Sequence, residues 1–293
     1  MKLDKYCISD EDYYENTTFI SFVITRNCKA GCSYCHWNGV EVRKGVVDFF
    51  KVLEFIDAQG KENIHFTFYG GEPTSHPSLF EYMDILNDRY GDRLQMYIIT
   101  NMLKAKSYFK KLALVPRLKV TASYHLAVTP NPAEWIDKVA LLPDVNVRLM
   151  MTEHNQTDIY NTWEIMNRHG YEVYISPIEQ MGVWCNKDTE PITPVVNPVI
   201  IDEHGNEVDE FYQKFSNFKH MMCSSGFVIR ENGDVLRCWE DMNGTVVLNI
   251  MKDPISQIDK WHLCTHSKCS CEQRFPKMSL KAYGKLYKQQ KTG

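Results

Sequence analysis

The stretch Phe19-Ile20-Ser21-Phe22-Val23-Ile24-Thr25-Arg26-Asn27-Cys28-Lys29-Ala30-Gly31-Cys32-Ser33-Tyr34-Cys35 decides how the rest of the chain is read. It opens with the β-rich apolar run Phe19–Ile24, free of charge, as expected of a strand covered on both faces. It closes with three thiols spaced Cys-x3-Cys-x2-Cys, where Gly31 allows a sharp turn of the backbone. A closed structural metal site normally takes four protein ligands, as do most [4Fe–4S] clusters. Three ligands with no near fourth leave one coordination position for a substrate or cofactor. The alternative is a zinc loop completed by His36 or by a distant residue.

Downstream, five more runs of the same kind follow: Ile64–Phe68, Leu94–Ile99, Leu118–Ala122, Val145–Met151 and Glu172–Ile175. Between them lie helical stripes. Val46, Phe49, Phe50 and Leu53 follow the i, i+3, i+4, i+7 spacing, as do Leu79, Tyr82, Met83 and Leu86. Trp135, Val139 and Leu142 form a third stripe, and Ile159, Trp163 and Met166 a fourth. Lys106–Val115 reads as a further helix that stops before Pro116. Six strands alternating with five helices predict an α/β chain with a parallel sheet and right-handed crossovers. The pattern suits an open doubly wound sheet or an incomplete barrel, and in both the ligand site lies at the carboxyl ends of the strands. After Pro177 the rhythm breaks. Val199–Ile201 and Val208–Phe211 flank a turn at 202–206, and Phe227–Arg230 and Val235–Arg237 form a second hairpin around Glu231-Asn232-Gly233-Asp234. Lys281, Lys285, Lys288 and Lys291 mark a solvated terminal helix.

The chain has 293 residues, enough for one large domain with a small one appended. Its net charge of -4 gives no field for gripping a phosphate backbone, so nucleic acid is not an expected partner. No apolar run approaches the roughly 18–20 residues that cross a bilayer, and the start lacks a secretory signal. A cytoplasmic protein with no membrane partner is expected. Ten cysteines are then the anomaly, because in a reducing compartment clustered cysteines hold metal more often than disulfides. Three lie in the loop above and five are Cys223, Cys238, Cys264, Cys269 and Cys271, leaving only Cys7 and Cys185 alone.

Cys-x3-Cys-x2-Cys at the end of the first strand, with aromatic Tyr34 before the last Cys, resembles the signature of the radical S-adenosylmethionine (SAM) superfamily. The resemblance implies a [4Fe–4S] cluster on Cys28, Cys32 and Cys35, with SAM on the remaining iron. Reductive cleavage of SAM would then yield a 5′-deoxyadenosyl radical. Tyr69-Gly70-Gly71-Glu72-Pro73, which is otherwise a turn before a helix, matches the family's Gly-Gly-Glu motif for the methionyl amino group. By the same resemblance Tyr34 in the loop and Asn101, Ser123 and Arg148 at later strand ends are SAM-side candidates, although a nearby Glu is an equal partner for Arg148. His125 is a candidate for the substrate space, and Glu179 a weaker one.

Cys223-x9-Gly233-x4-Cys238 resembles the opening of the SPASM or shorter twitch extension, which carries auxiliary clusters. Five cysteines suffice for one four-thiolate auxiliary [4Fe–4S] site and not for two, with zinc as the alternative. A spare thiol such as Cys185 could return a hydrogen atom to a substrate radical. The fold so implied is a partial (β/α)6 TIM-like barrel over 1–178 and a bridging segment over 179–215. A small C-terminal α+β cysteine-rich domain and tail follow over 216–293. A flavodoxin or ferredoxin is the implied electron donor. A peptide substrate stands slightly ahead of a small molecule such as a sugar or antibiotic. With 27 residues ahead of Cys28, no separate leader-binding domain is expected. The rival is a non-enzymatic iron–sulfur or zinc redox protein.

Overall fold

The computed structural model describes residues 16–35, 47–129, 131–152, 155–177, 200–201, 207–208, 222–223, 226–238, 245–259, 262–263 and 277–278. Six strands, β1 (Thr17–Thr25), β2 (Asn63–Gly70), β3 (Leu94–Thr100), β4 (Leu118–Tyr124), β5 (Val145–Met151) and β6 (Glu172–Pro177), lie side by side in chain order. Every neighbouring pair is parallel. The helices α1 (Phe49–Ala58), α2 (Leu79–Tyr90), α3 (Lys106–Leu112), α4 (Pro132–Val139) and α5 (Gln156–Arg168) form the crossovers. This is the parallel α/β sheet of a partial TIM-like barrel. Among the described residues no helix is long and apolar enough to cross a membrane.

Two of these helices start where side chains satisfy the orphan N–H groups of the first turn. Asp48 accepts from Phe50 N ahead of α1, and Asn131 accepts from Glu134 N ahead of α4, whose first residue is Pro132. The strands bury one face against the helices. Ile20, Phe22, Phe66, Phe68, Met96 and Ile98 pack there against Val52, Leu53, Phe55, Met83 and Leu86. The i, i+3, i+4 reading of α1 is corrected at Phe50, which is 62% exposed, while Val52, Phe55 and Ile56 complete the buried face. Phe50 is the second residue of the helix, one step of about 100° round the axis from Phe49, so it points away from the face set by Phe49, Val52, Leu53 and Ile56. Val46, of the same stripe, lies outside the described residues.

The second hairpin forms as β10 (Phe227–Ile229) and β11 (Asp234–Leu236), antiparallel to each other. Its position adds something the pattern did not contain. β10 runs parallel to β1 on the free side of that strand, with Ile20 opposite Phe227 and Phe22 opposite Ile229. β12 (Leu248–Asn249) extends the sheet further, giving nine strands in one sheet. Val23, Val228 and Leu236 form a small apolar cluster across this junction. A buried ion pair, Arg26 Nε to Glu231 Oε1 at 2.6 Å, joins the hairpin turn to the residue that follows β1. The first hairpin is present as β7 (Ile200–Ile201) pairing with β8 (Glu207–Val208). Cys223 lies in β9 (Met222–Cys223), between β13 (His262–Leu263) and β14 (Lys277–Met278).

Trp135 shows how the helical layer reaches the strand ends. It is fully buried, meets Tyr124 edge-on, and donates from Nε1 to the Asn101 carbonyl at 3.3 Å. Trp135→Phe keeps an aromatic ring but loses that bond and some volume. A stability loss of about 2 kcal/mol is expected in urea unfolding.

Candidate cluster and cofactor site

The site is built where β1 and β2 end together. The register of this pair shifts between Val23 and Thr25, so that Thr25 stands opposite Gly70. Such an irregularity re-aims the chain that follows it. Beyond it the two loops zip together, with Gly71 N donating to Thr25 O at 2.7 Å and Glu72 N to Asn27 O at 2.9 Å. Gly70 has φ 131°, and a Cβ there would lie 2.0 Å from the Thr25 oxygen. A Cβ on Gly71 would lie 2.5 Å from the Arg26 oxygen. Both glycines are therefore required by the close approach of the cysteine loop. Among the described residues no turn or loop backbone N–H donates to the Gly71 carbonyl.

Glu72 locks the arrangement from beneath. Oε1 accepts from Thr74 N at 3.1 Å, Thr74 Oγ1 at 2.6 Å and Thr100 Oγ1 at 2.7 Å, and Oε2 accepts from Asn101 N at 2.8 Å. Burial pushes its carboxyl up from the ordinary value, against the pull of these donors. Glu72 thus caps the short turn Pro73–Ser75 and ties the end of β2 to the end of β3. Sequence reasoning missed the role of Thr74. The signal was present in Glu72-Pro73-Thr74, an acceptor followed by Pro at a helical first position.

Cys28, Cys32 and Cys35 are free thiols on the loop after β1, with Cys32 buried and the other two half-buried. Gly31 turns the loop at φ 65°, and Cys35 N donates to Cys32 O at 3.0 Å. Burial pushes the Cys28 and Cys32 thiols up; Glu72 and Cys35 add to the rise at Cys28, and Cys35 and Cys28 to that at Cys32. Asn101 Nδ2 stands 3.7 Å from Cys28 Sγ, while Asn101 Oδ1 accepts from Leu103 N at 3.1 Å. The Tyr34 hydroxyl lies 2.7 Å from His125 Nδ1, and the two rings stack at 14°. Cys32 Sγ is 3.7 Å from the same nitrogen. Burial pushes the His125 pKa down to about 4, so the imidazole is neutral at neutral pH. Ser123 is buried, and in the sheet it pairs with Arg148, which pairs in turn with Tyr174.

The structure therefore brings Cys28, Cys32, Cys35, Tyr34, Gly70, Gly71, Glu72, Asn101 and His125 to one end of the sheet, with Ser123 and Arg148 on the neighbouring strands. Three thiols on one tight loop, joined by backbone hydrogen bonds to the Gly71–Glu72 turn, are a donor set that could hold an iron–sulfur cluster and, on that turn, an ammonium-bearing cofactor. Among the described residues no three His, Cys, Asp or Glu side chains converge on a single-ion site. Cys223 and Cys238 are buried free thiols. Cys185, Cys264, Cys269 and Cys271, with His36 and Glu179, lie outside the described residues.

A family model described as the radical SAM superfamily matches residues 22–180, from within β1 to just past β6. No curated protein matches. The fold is similar to that of anSMEcpe solved with bound AdoMet and Kp18Cys peptide, with TM-score 0.58 at 14% identity over 81% of this chain and 78% of that one. It is also similar to Streptococcus suis SuiB bound to precursor peptide SuiA, with TM-score 0.56 at 13% identity. That match covers 82% of this chain and 64% of SuiB. At these identities the likeness is one of fold.

Proposed function

The chain belongs to the radical SAM superfamily, and from that premise we propose that Cys28, Cys32 and Cys35 hold its [4Fe–4S] cluster and that it removes hydrogen from a peptide substrate. The observation that carries this reading is the packing of the three-thiol loop directly against Gly70-Gly71-Glu72 at adjoining strand ends. When bound, cluster and SAM supply a one-electron cleavage of the sulfonium, giving methionine and a 5′-deoxyadenosyl radical that takes a hydrogen atom from the substrate. The electron comes from a reduced flavodoxin- or ferredoxin-type donor.

The chain's own residues bind and orient. The Gly71 carbonyl accepts from the methionyl ammonium, and Glu72, fully engaged by Thr74, Thr100 and Asn101, holds that carbonyl in place. Ser123 on β4 and Arg148 on β5 would serve the cofactor's carboxylate and ribose. Four of Cys223, Cys238, Cys264, Cys269 and Cys271 would hold an auxiliary [4Fe–4S] cluster. Held there, such a cluster would supply an acceptor for the electron left on the substrate, and the net reaction would be a two-electron oxidation. A peptide substrate agrees with the peptides bound in the anSMEcpe and SuiB structures. Cys185 is the alternative hydrogen donor, which would give epimerisation. The test is anaerobic reconstitution, reduction and addition of SAM. Formation of 5′-deoxyadenosine and methionine is expected. Iron-loaded, reducible protein that yields neither would be an electron carrier, and the proposal would fall.

A further inference from the structure

We propose that Tyr34 with His125, and Asn101, are positioning residues that aim hydrogen bonds at two of the three cluster sulfurs and so raise the reduction potential of the cluster. The inference rests on the reading of Cys28, Cys32 and Cys35 as the ligands. Its own basis is the geometry at the ends of β3 and β4.

On one side of the loop, Asn101 Nδ2 lies 3.7 Å from Cys28 Sγ, within hydrogen-bonding reach of sulfur. The orientation of the amide follows from its other half. Oδ1 accepts the Leu103 N–H at 3.1 Å, which leaves the NH2 group facing the thiol. The Asn101 backbone N–H is held in turn by Glu72 Oε2, so the donor is fixed at both ends.

On the other side, Tyr34 and His125 stack with ring centroids 5.9 Å apart, and their polar atoms meet at 2.7 Å. Cys32 Sγ is 3.7 Å from the same His125 Nδ1, and the Tyr34 hydroxyl beside it pulls the Cys32 thiol down against the rise that burial causes. Three polar atoms thus share the available protons. A thiolate bound to iron is an acceptor only, and it selects the tautomer with hydrogen on Nδ1. That N–H donates to the Tyr34 oxygen, and the Tyr34 hydroxyl donates to sulfur. His125 then acts through Tyr34, from the end of β4, without touching the reacting atoms.

Hydrogen bonds to ligating sulfurs withdraw electron density from the irons and favour the more negative, reduced form. Removing one lowers the potential. A charge-assisted bond of this kind corresponds to roughly a tenfold change in the reduction equilibrium, or about 59 mV for a one-electron couple.

The experiment is a redox titration followed by electron paramagnetic resonance, read on the signal that changes when SAM is added, alongside iron and sulfide analysis. Tyr34→Phe and Asn101→Ala should each keep their iron and shift the midpoint lower by about that amount. His125→Ala, which leaves the Tyr34 hydroxyl present but no longer held, should shift the midpoint in the same direction by no more than Tyr34→Phe, and the double variant should move no further than Tyr34→Phe, because the two act in series. His125→Asn, with an amide N–H near the place of Nδ1, should recover most of the shift. Midpoints equal to wild type in Tyr34→Phe and Asn101→Ala would overturn the proposal, as would additive shifts from Tyr34 and His125. If Tyr34→Phe lost its iron, Asn101→Ala on the opposite side of the loop decides alone. A wild-type protein with no SAM-responsive signal would instead overturn the ligand reading.

Discussion

Cys28→Ala protein, reconstituted anaerobically and reduced in the presence of SAM, is expected to form no 5′-deoxyadenosine above background while still binding iron at its C-terminal cysteines. Cys28 is the first thiol after β1, and Asn27, next to it, is pinned by the Glu72 N–H. The loop backbone should therefore survive the change with its shape intact, since its hydrogen bonds to Gly71 and Glu72 are made by main-chain atoms. What is lost is one of three anchors, and two thiols do not hold a cluster whose fourth iron is kept for a cofactor. Iron per chain, measured beside the nucleoside product, separates loss of this cluster from loss of all metal. Retained 5′-deoxyadenosine formation would remove Cys28 from the ligand set.

Gly70→Ala is expected to cost about 3–5 kcal/mol of stability, with a fall in Tm of roughly 10 °C. Two causes combine. At φ 131° a residue with a Cβ is strained whatever the space, and here the Cβ would be driven to 2.0 Å from the Thr25 oxygen. That oxygen cannot yield, because it accepts the Gly71 N–H at 2.7 Å. Gly60→Ala is the matched control. Gly60 also has a positive φ, 65°, but nothing lies within 4 Å of its added Cβ, so only the backbone cost of about 1 kcal/mol applies. Calorimetry on the pair should show the difference, and equal losses would mean that the loops at the ends of β1 and β2 are not zipped together.

The parts of this fold that were legible share a cause. Runs such as Ile64–Phe68 and Leu94–Ile99 are short, apolar and β-rich, and burial on the helix side alternates along them in the structure. The place of the cysteine loop at the end of β1 was equally plain, because three thiols at that spacing directly follow an apolar run. Phe50 was misread because the i, i+3, i+4 rule cannot place the centre of a buried face within a ten-residue helix. The threonines under Glu72 were not legible as a set. Thr74 and Thr100 meet only after β2 and β3 pair, and a hydroxyl carries no pattern of its own. The hairpin around Gly233 was visible as a hairpin, but local pattern holds nothing about a parallel partner distant along the chain.

That partnership has a consequence for how the molecule is made. β1 leaves the ribosome well before the neighbour on its outer side, since β10 emerges about 200 residues later. Until then a nine-residue strand stands with one row of amides and carbonyls open, ready to recruit any passing extended peptide. Closure of the sheet is therefore a late, long-range event in biogenesis. Fragments ending before residue 226 should clump through that bare margin, however well their helices form.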